Sequence, residues 1–142
     1  MTDNSKESAM KITEAWKLAC EVQRRAHAPY SKFYVGAALK TKESEDFILG
    51  CNVENASYGA TVCAERTAFQ VAVAKHGKIS PEYLVLVTNS DPAVPPCALC
   101  LQIFAEFCDK DFLVYIGNTS GVQKTTKFGD LLKSPFGPSD LK

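Results

Sequence analysis

Two periodicities organise the apolar positions of this chain. Over residues 12–27, Ile12, Trp16, Ala19, Cys20 and Gln23 fall at helical spacings, with Pro29 beyond. This pattern predicts an amphipathic helix. Residues 33–40 and 47–53 read as strands, and the charged stretch 41–46 joins them in a hairpin with a loop longer than two residues. Residues 62–76 are rich in alanine and stop at Gly77, a helix with a glycine C-terminus. Tyr83-Leu84-Val85-Leu86-Val87 is continuously apolar, as expected of a strand covered on both faces. Pro95 and Pro96 precede a helix over 97–108, and Phe112-Leu113-Val114-Tyr115-Ile116 is a second buried strand. The turn residues 117–121 then return the chain as an antiparallel edge strand over 122–127.

The expected order is helix, strand, strand, helix, strand, helix, strand, strand. Strand–helix–strand units place their strands in parallel with right-handed crossovers. A hairpin followed by two such units gives an α/β fold in three layers, a mixed five-stranded sheet flanked by helices. With 142 residues, one domain with one core is expected. No internal repeat, low-complexity tract or linker divides it. Residues 1–10 are polar and read as an N-terminal extension, which leaves 11–142 as a single catalytic domain.

Charge and cysteine usage narrow the function. Sixteen basic and sixteen acidic residues cancel, whereas nucleic-acid binding leans on a basic footprint. A small-molecule substrate is therefore favoured. No run approaches the roughly 18 apolar residues of a membrane span, and the polar N-terminus lacks a secretory signal. These features predict a cytoplasmic protein, with the nucleus as a second compartment. In a reducing compartment, six cysteines read as metal ligands or small buried hydrophobes rather than as three disulfides.

Three of those cysteines carry the chemistry. Cys63-Ala64-Glu65 is followed by Pro96-Cys97-Ala98-Leu99-Cys100. Three thiolates can hold one zinc and leave its fourth position open to water, as catalytic rather than structural zinc requires. Both thiol sets fall at expected helix N-termini, where the dipole favours thiolate. Zinc with three thiolates is net negative, and Arg66, one turn after Cys63, is positioned to compensate by donating hydrogen bonds to sulfur. Glu65 is the candidate proton carrier. Residues two apart on a helix do not share a face, so this reading requires Cys63 to sit in the first turn, where its side chain can be directed past the helix end. His27 and His76 are read as ordinary residues of helix C-termini, and Cys20, Cys51 and Cys108 as packing residues.

The residues Thr61-Val62-Cys63-Ala64-Glu65-Arg66-Thr67-Ala68 together with Pro96-Cys97 and Cys100 resemble the small cytidine deaminases that bind zinc through three cysteines. Pro29-Tyr30-Ser31-Lys32-Phe33 with Val35-Gly36-Ala37-Ala38, and Gly50-Cys51-Asn52-Val53-Glu54-Asn55-Ala56-Ser57-Tyr58, resemble two further blocks of that family. The resemblance implies hydrolytic deamination of cytidine and deoxycytidine to uridine and deoxyuridine, with water attacking C4 and Glu65 carrying its proton to N3. It implies that Asn52 and Glu54 hold the ribose hydroxyls, that Phe33 packs against the base, and that the main chain at Cys63 and Ala64 meets the pyrimidine edge. It further implies a homotetramer with shared active sites, in which Phe136 reaches a neighbouring site and Tyr58 lies near a subunit contact.

Gln102 fits the family pattern beside the thiols, whereas Ala98, Leu101 and Lys133 depart from its usual Gly, Arg and Pro. Losing that Arg places more of the charge compensation on Arg66. Two other readings compete. A structural zinc protein needs a fourth protein ligand, with Cys51, Cys108 or a histidine as candidates. A polynucleotide cytidine deaminase would act on an unpaired base, against which zero net charge and the ribose clamp both argue.

Overall fold

The computed structural model describes residues 3–141. Five strands form one sheet: β1 (Val35–Thr41), β2 (Ile48–Cys51), β3 (Pro81–Thr88), β4 (Leu113–Asn118) and β5 (Gly121–Lys127). Their spatial order is β2-β1-β3-β4-β5. β1 runs antiparallel to both β2 and β3, so β2 and β3 share a direction. β3 and β4 are parallel, and β5 returns antiparallel to β4. The helix α2 (Ala64–His76) connects β2 to β3, and α3 (Ala98–Phe107) connects β3 to β4. A long first helix, α1 (Asp3–Gln23), and a short α4 (Phe128–Leu131) complete the main elements.

Side-chain alternation along β3 explains the three layers. Leu84 and Leu86 join Ala68, Phe69 and Phe104 on the face covered by α2 and α3. Val85 and Val87 point the other way, packing with Ala15 and Ala19 of α1. A strand buried on both faces must be apolar throughout, which is how its sequence reads. On the α2/α3 face, the ring of Phe69 stacks on Phe104 at 5.2 Å, and Phe104 meets Phe112 edge-on at 5.6 Å. Burying one such ring contributes ~2 kcal/mol. This stack also fixes α2 against α3.

Boundaries differ from the sequence expectation: β1 begins at Val35 instead of residue 33, β2 covers Ile48–Cys51 instead of 47–53, and both ends of the first helix and the start of α2 move as well. The first helix covers Asp3–Gln23 instead of 12–27. The part of the polar extension that is described therefore continues α1, while Met1 and Thr2 lie outside the described residues. At its other end the helix gives way because the His27 backbone pairs elsewhere: its N–H donates to Asn52 O and its C=O accepts from Glu54 N. His27 is thus a residue of an extended bridge and not of a helix end, whereas His76 does close α2. Finally, α2 starts at Ala64 and not at residue 62, because Val62 forms an antiparallel bridge with Val53.

Two glycines let helices approach the sheet closely. A Cβ on Gly36 would stand 2.8 Å from Gln23 N of α1, and one on Gly50 would stand 2.6 Å from Ala68 N and closer still to the Ala64 carbonyl oxygen of α2. The Gly50 contact positions the first turn of α2. Gly50→Ala should therefore destabilise the fold by ~1–3 kcal/mol through overpacking and shift the start of α2. Urea unfolding with parallel zinc analysis tests this; an alanine variant with unchanged stability and zinc affinity would refute the close-approach argument.

Candidate active site

The chain before α2 is pinned by the Val53–Val62 bridge, with Val53 N–H donating to Val62 O at 2.9 Å and the reciprocal bond at 3.0 Å. Cys63 follows in extended conformation as the N-cap of α2, and its carbonyl accepts from Thr67 N–H. Cys97 is likewise the extended N-cap of α3, its carbonyl accepting from Leu101 N–H. Cys100 sits one turn further on and is fully buried. The geometric condition on Cys63 is met: as a cap residue, its side chain projects past the end of the helix that carries Glu65.

The three sulfurs converge. Cys63 Sγ lies 3.8 Å from Cys97 Sγ, which is 3.6 Å from Cys100 Sγ, and all three fall within 4.8 Å of one another. A tetrahedral site with Zn–S bonds of about 2.3 Å has S···S edges of about 3.8 Å. The donor set therefore fits zinc in chemistry and in spacing. Among the described residues, Cys51, Cys108, His27 and His76 are not part of this group.

Thiolate formation is favoured at Cys63. Hydrogen bonds from the Cys100 and Cys97 thiols and the nearby Arg66 guanidinium hold its pKa well below the usual thiol value, against the effect of burial. The Cys100 thiol is pushed up, because it donates to Cys63 and because it is buried beside Glu65. Arg66 adds both charge and a hydrogen bond at Cys63. Leu101, the departure from the usual Arg, packs into the core with Phe104 instead of facing the thiols.

Glu65 is only 4% exposed. Burial pushes its carboxyl up to about 7, and the charge of Cys63 adds to this, while its own backbone N–H, the Cys100 thiol and Arg66 oppose it. It lines a cleft of about 340 Å³ together with Cys63, Cys97, Phe33, Val35, Asn52, Glu54, Leu86 and Thr88. Ser31, Thr61, Val94 and Pro95 complete that lining. Ser31, Val35 and Thr61 fall inside the family-like blocks without an assigned role, and Leu86, Thr88, Val94 and Pro95 were not singled out, since membership depends on how strands and loops close round the cleft. The cleft opens at the C-terminal ends of β2 and β3, where ligands of open α/β sheets bind.

The expected substrate contacts divide into two groups. Phe33, Asn52 and Glu54 line the cleft. Asn52 accepts from Val35 N–H at 2.8 Å and donates to Phe33 O at 2.7 Å. Glu54 accepts from Tyr30 N–H and from the backbone and hydroxyl of Ser31; chiefly through the Ser31 hydroxyl, its carboxyl is held below the ordinary value. Ala64 is buried at the start of α2. Phe136, by contrast, is 57% exposed and is not part of this chain's own cleft. Gln102 donates to the Phe136 carbonyl at 2.8 Å, so its bond anchors the tail to α3 and does not reach a sulfur.

Comparison with known proteins gives the family. Residues 10–116 match the family described as the cytidine and deoxycytidylate deaminase zinc-binding region. The chain belongs to the cytidine deaminase family. It is 41% identical over 125 residues to a cytidine deaminase of Halalkalibacterium halodurans, covering 88% of this chain and 93% of that one. A cytidine deaminase of Sporosarcina psychrophila is 41% identical over 121 residues, 85% of this chain and 88% of its own. The crystal structure of a Burkholderia pseudomallei cytidine deaminase superposes with a TM-score of 0.76 at 37% identity, covering 96% of this chain and all of that one. The mixed five-stranded sheet with flanking helices is thus the cytidine deaminase fold, and the three thiols occupy its zinc-binding region.

The buried carboxylate has a measurable consequence in metal-free protein. Its folded value of about 7 lies above the ordinary 4.5, so the unfolded chain ionises first and stability falls as pH rises between those values. Above about 7 the loss is complete, on the order of 3 kcal/mol. Glu65→Gln removes this cost and should make the reduced, zinc-free protein more stable than its parent at pH 8. Urea unfolding with chelator present checks it; a less stable variant at pH 8 contradicts the burial argument.

Proposed function

We propose that this chain is a zinc-dependent hydrolase that converts cytidine and deoxycytidine, with water, to uridine and deoxyuridine and ammonia. The observation that carries this reading is a buried carboxylate beside three convergent thiols in one substrate-sized cleft. Zinc held by Cys63, Cys97 and Cys100 supplies Lewis acidity, which acidifies water and polarises the reacting centre.

The chain's own residues do the rest. Glu65 takes the proton of the attacking water and delivers it to N3 of the pyrimidine; it then takes the proton of the new C4 hydroxyl and passes it to the amino group, which leaves as ammonia while the C4 carbonyl forms. A group that both accepts and donates works best with a pKa near the operating pH, which its burial supports. Phe33, Val35 and Leu86 give the cleft apolar walls against which the base packs and from which bulk water is excluded. The backbone at Cys63 and Ala64 meets the pyrimidine edge. Glu54 and Asn52 hold the ribose hydroxyls: Asn52 keeps a second Nδ2 hydrogen beyond the one given to Phe33 O. A carboxylate at that end repels phosphate, which favours free nucleosides over polynucleotides. Arg66 stabilises the anionic ligand set through Cys63.

The working assembly is a homotetramer in which Phe136 completes a neighbouring site. Exposed large apolar side chains support this: Tyr58 and Phe136, together with Leu99 at the start of α3, are surface that an interface covers. No helix among the described residues is long and apolar enough to cross a membrane. The cytoplasm is the proposed location, since free thiols gathered as a metal site suit a reducing compartment.

Cytidine turnover, followed by ultraviolet absorbance at equal zinc content, tests the reading. Glu65→Gln should lower kcat by at least ~10²-fold without loss of zinc. Chelation should abolish turnover while far-ultraviolet circular dichroism is retained. Unfolding on metal removal, with no turnover beforehand, would instead identify the zinc as structural.

A further inference from the structure

The segment 32–34 enters the cleft before β1 begins, and its backbone has no strand partner. Lys32 N–H donates to the Ala28 carbonyl, and the other backbone groups of the segment are bonded by side chains. Asn89 accepts from Tyr34 N–H and donates to Lys32 O, each at 3.0 Å. Asn52 makes the same pair of bonds one residue on, to Val35 N–H and Phe33 O. Gln23 donates to Tyr34 O, and Ser31 Oγ accepts from Phe33 N–H. Asn89 therefore brackets Phe33, gripping the backbone on either side of it. Lys32 adopts φ 56°, a left-handed conformation that a non-glycine residue holds only with support from its surroundings. Asn89 directly follows Thr88, which lines the cleft at the end of β3, so the bracket ties the Phe33 wall to the strand that contributes Leu86 and Thr88 to the same cleft.

We propose that Asn89 is a positioning residue for substrate: it sets the ring of Phe33 against the base and thereby determines nucleoside affinity. This rests on the cytidine deaminase reading of the cleft. The side-chain chemistry is specific, because Tyr34 N–H needs an acceptor while Lys32 O needs a donor. An amide supplies both. An aspartate supplies the acceptor alone and turns its second oxygen on the Lys32 carbonyl.

The test compares cytidine kinetics of the parent, Asn89→Ala, Asn89→Asp, Phe33→Ala and the two double variants at matched zinc content. Asn89→Ala should raise KM about fivefold with a smaller change in kcat, and Asn89→Asp should be no better than Ala. In the Phe33→Ala background, either substitution at Asn89 should change kcat/KM by less than about twofold, because the ring it acts through is gone. Equal fold-losses in both backgrounds, or a fall in kcat at constant KM, would overturn the proposal. Should Asn89→Ala fail to fold, the isosteric Asn89→Asp carries the same comparison. A parent chain with full zinc and no cytidine turnover would overturn the deaminase reading itself, and this proposal with it.

Discussion

Everything at this site depends on two helix N-termini being held a few ångströms apart. Cys63 and Cys97 are the caps of α2 and α3, and their sulfurs stand 3.8 Å apart. A zinc site tolerates little error in such an edge, because Zn–S bonds vary by only ~0.2 Å. The scaffold supplies the necessary rigidity from two directions. Below the caps, Phe69 of α2 stacks on Phe104 of α3. Beside them, Gly50 lets α2 press against β2 at backbone distance. Helix packing and strand composition on this face therefore serve the spacing of three sulfur atoms.

That convergence concentrates acidic groups in a buried volume. Three thiols and a carboxyl share the site, and Cys100 and Glu65 resist ionisation there. Helix N-termini offset part of this, since exposed N–H groups and the dipole favour negative charge there. Arg66 offsets another part at Cys63. Leu101 offers no help, being committed to the core. The arrangement is costly to the empty protein, and zinc relieves the cost by taking the thiolates as ligands. Metal binding and stability are coupled for that reason.

Much of this was legible in the sequence, where the signal was local. The uninterrupted apolar run at Leu84–Val87 announced a strand covered on both faces, and Gly77, at φ 71°, closes α2 where its sequence position indicated. The spacing of Cys63, Cys97 and Cys100 exposed the metal site because chemistry restricts what three thiols at helix starts can do. Boundaries failed where distant pairing decided them. Bonds from His27 to Asn52 and Glu54 end the first helical region early, and the Val53 bridge delays α2 to Ala64. The start of α1 was missed because residues 4–11 are almost all exposed and polar. Their helicity rests on good helix formers and an i,i+4 pair such as Glu7–Lys11 instead of an apolar face.

The wall formed by residues 32–35 shows why a site can be hardest to read where it matters most. Lys32 and Phe33 are exposed and Tyr34 is half-buried, yet their backbone groups are bonded, and where a chain runs beside a sheet the usual partner is another strand. A strand laid beside 32–34 would satisfy those groups but close the cleft that Phe33 lines. Asparagine and glutamine side chains solve this, since a primary amide carries the same donor and acceptor as a peptide group and occupies far less room. Asn52 and Asn89 do this in adjacent registers, from positions 17 to 57 residues away in sequence. Neither produces a periodic signal, and an asparagine after a strand reads as an ordinary turn residue. The open groove and the illegibility of its wall thus have one cause: single side chains, contributed from afar, replace a strand.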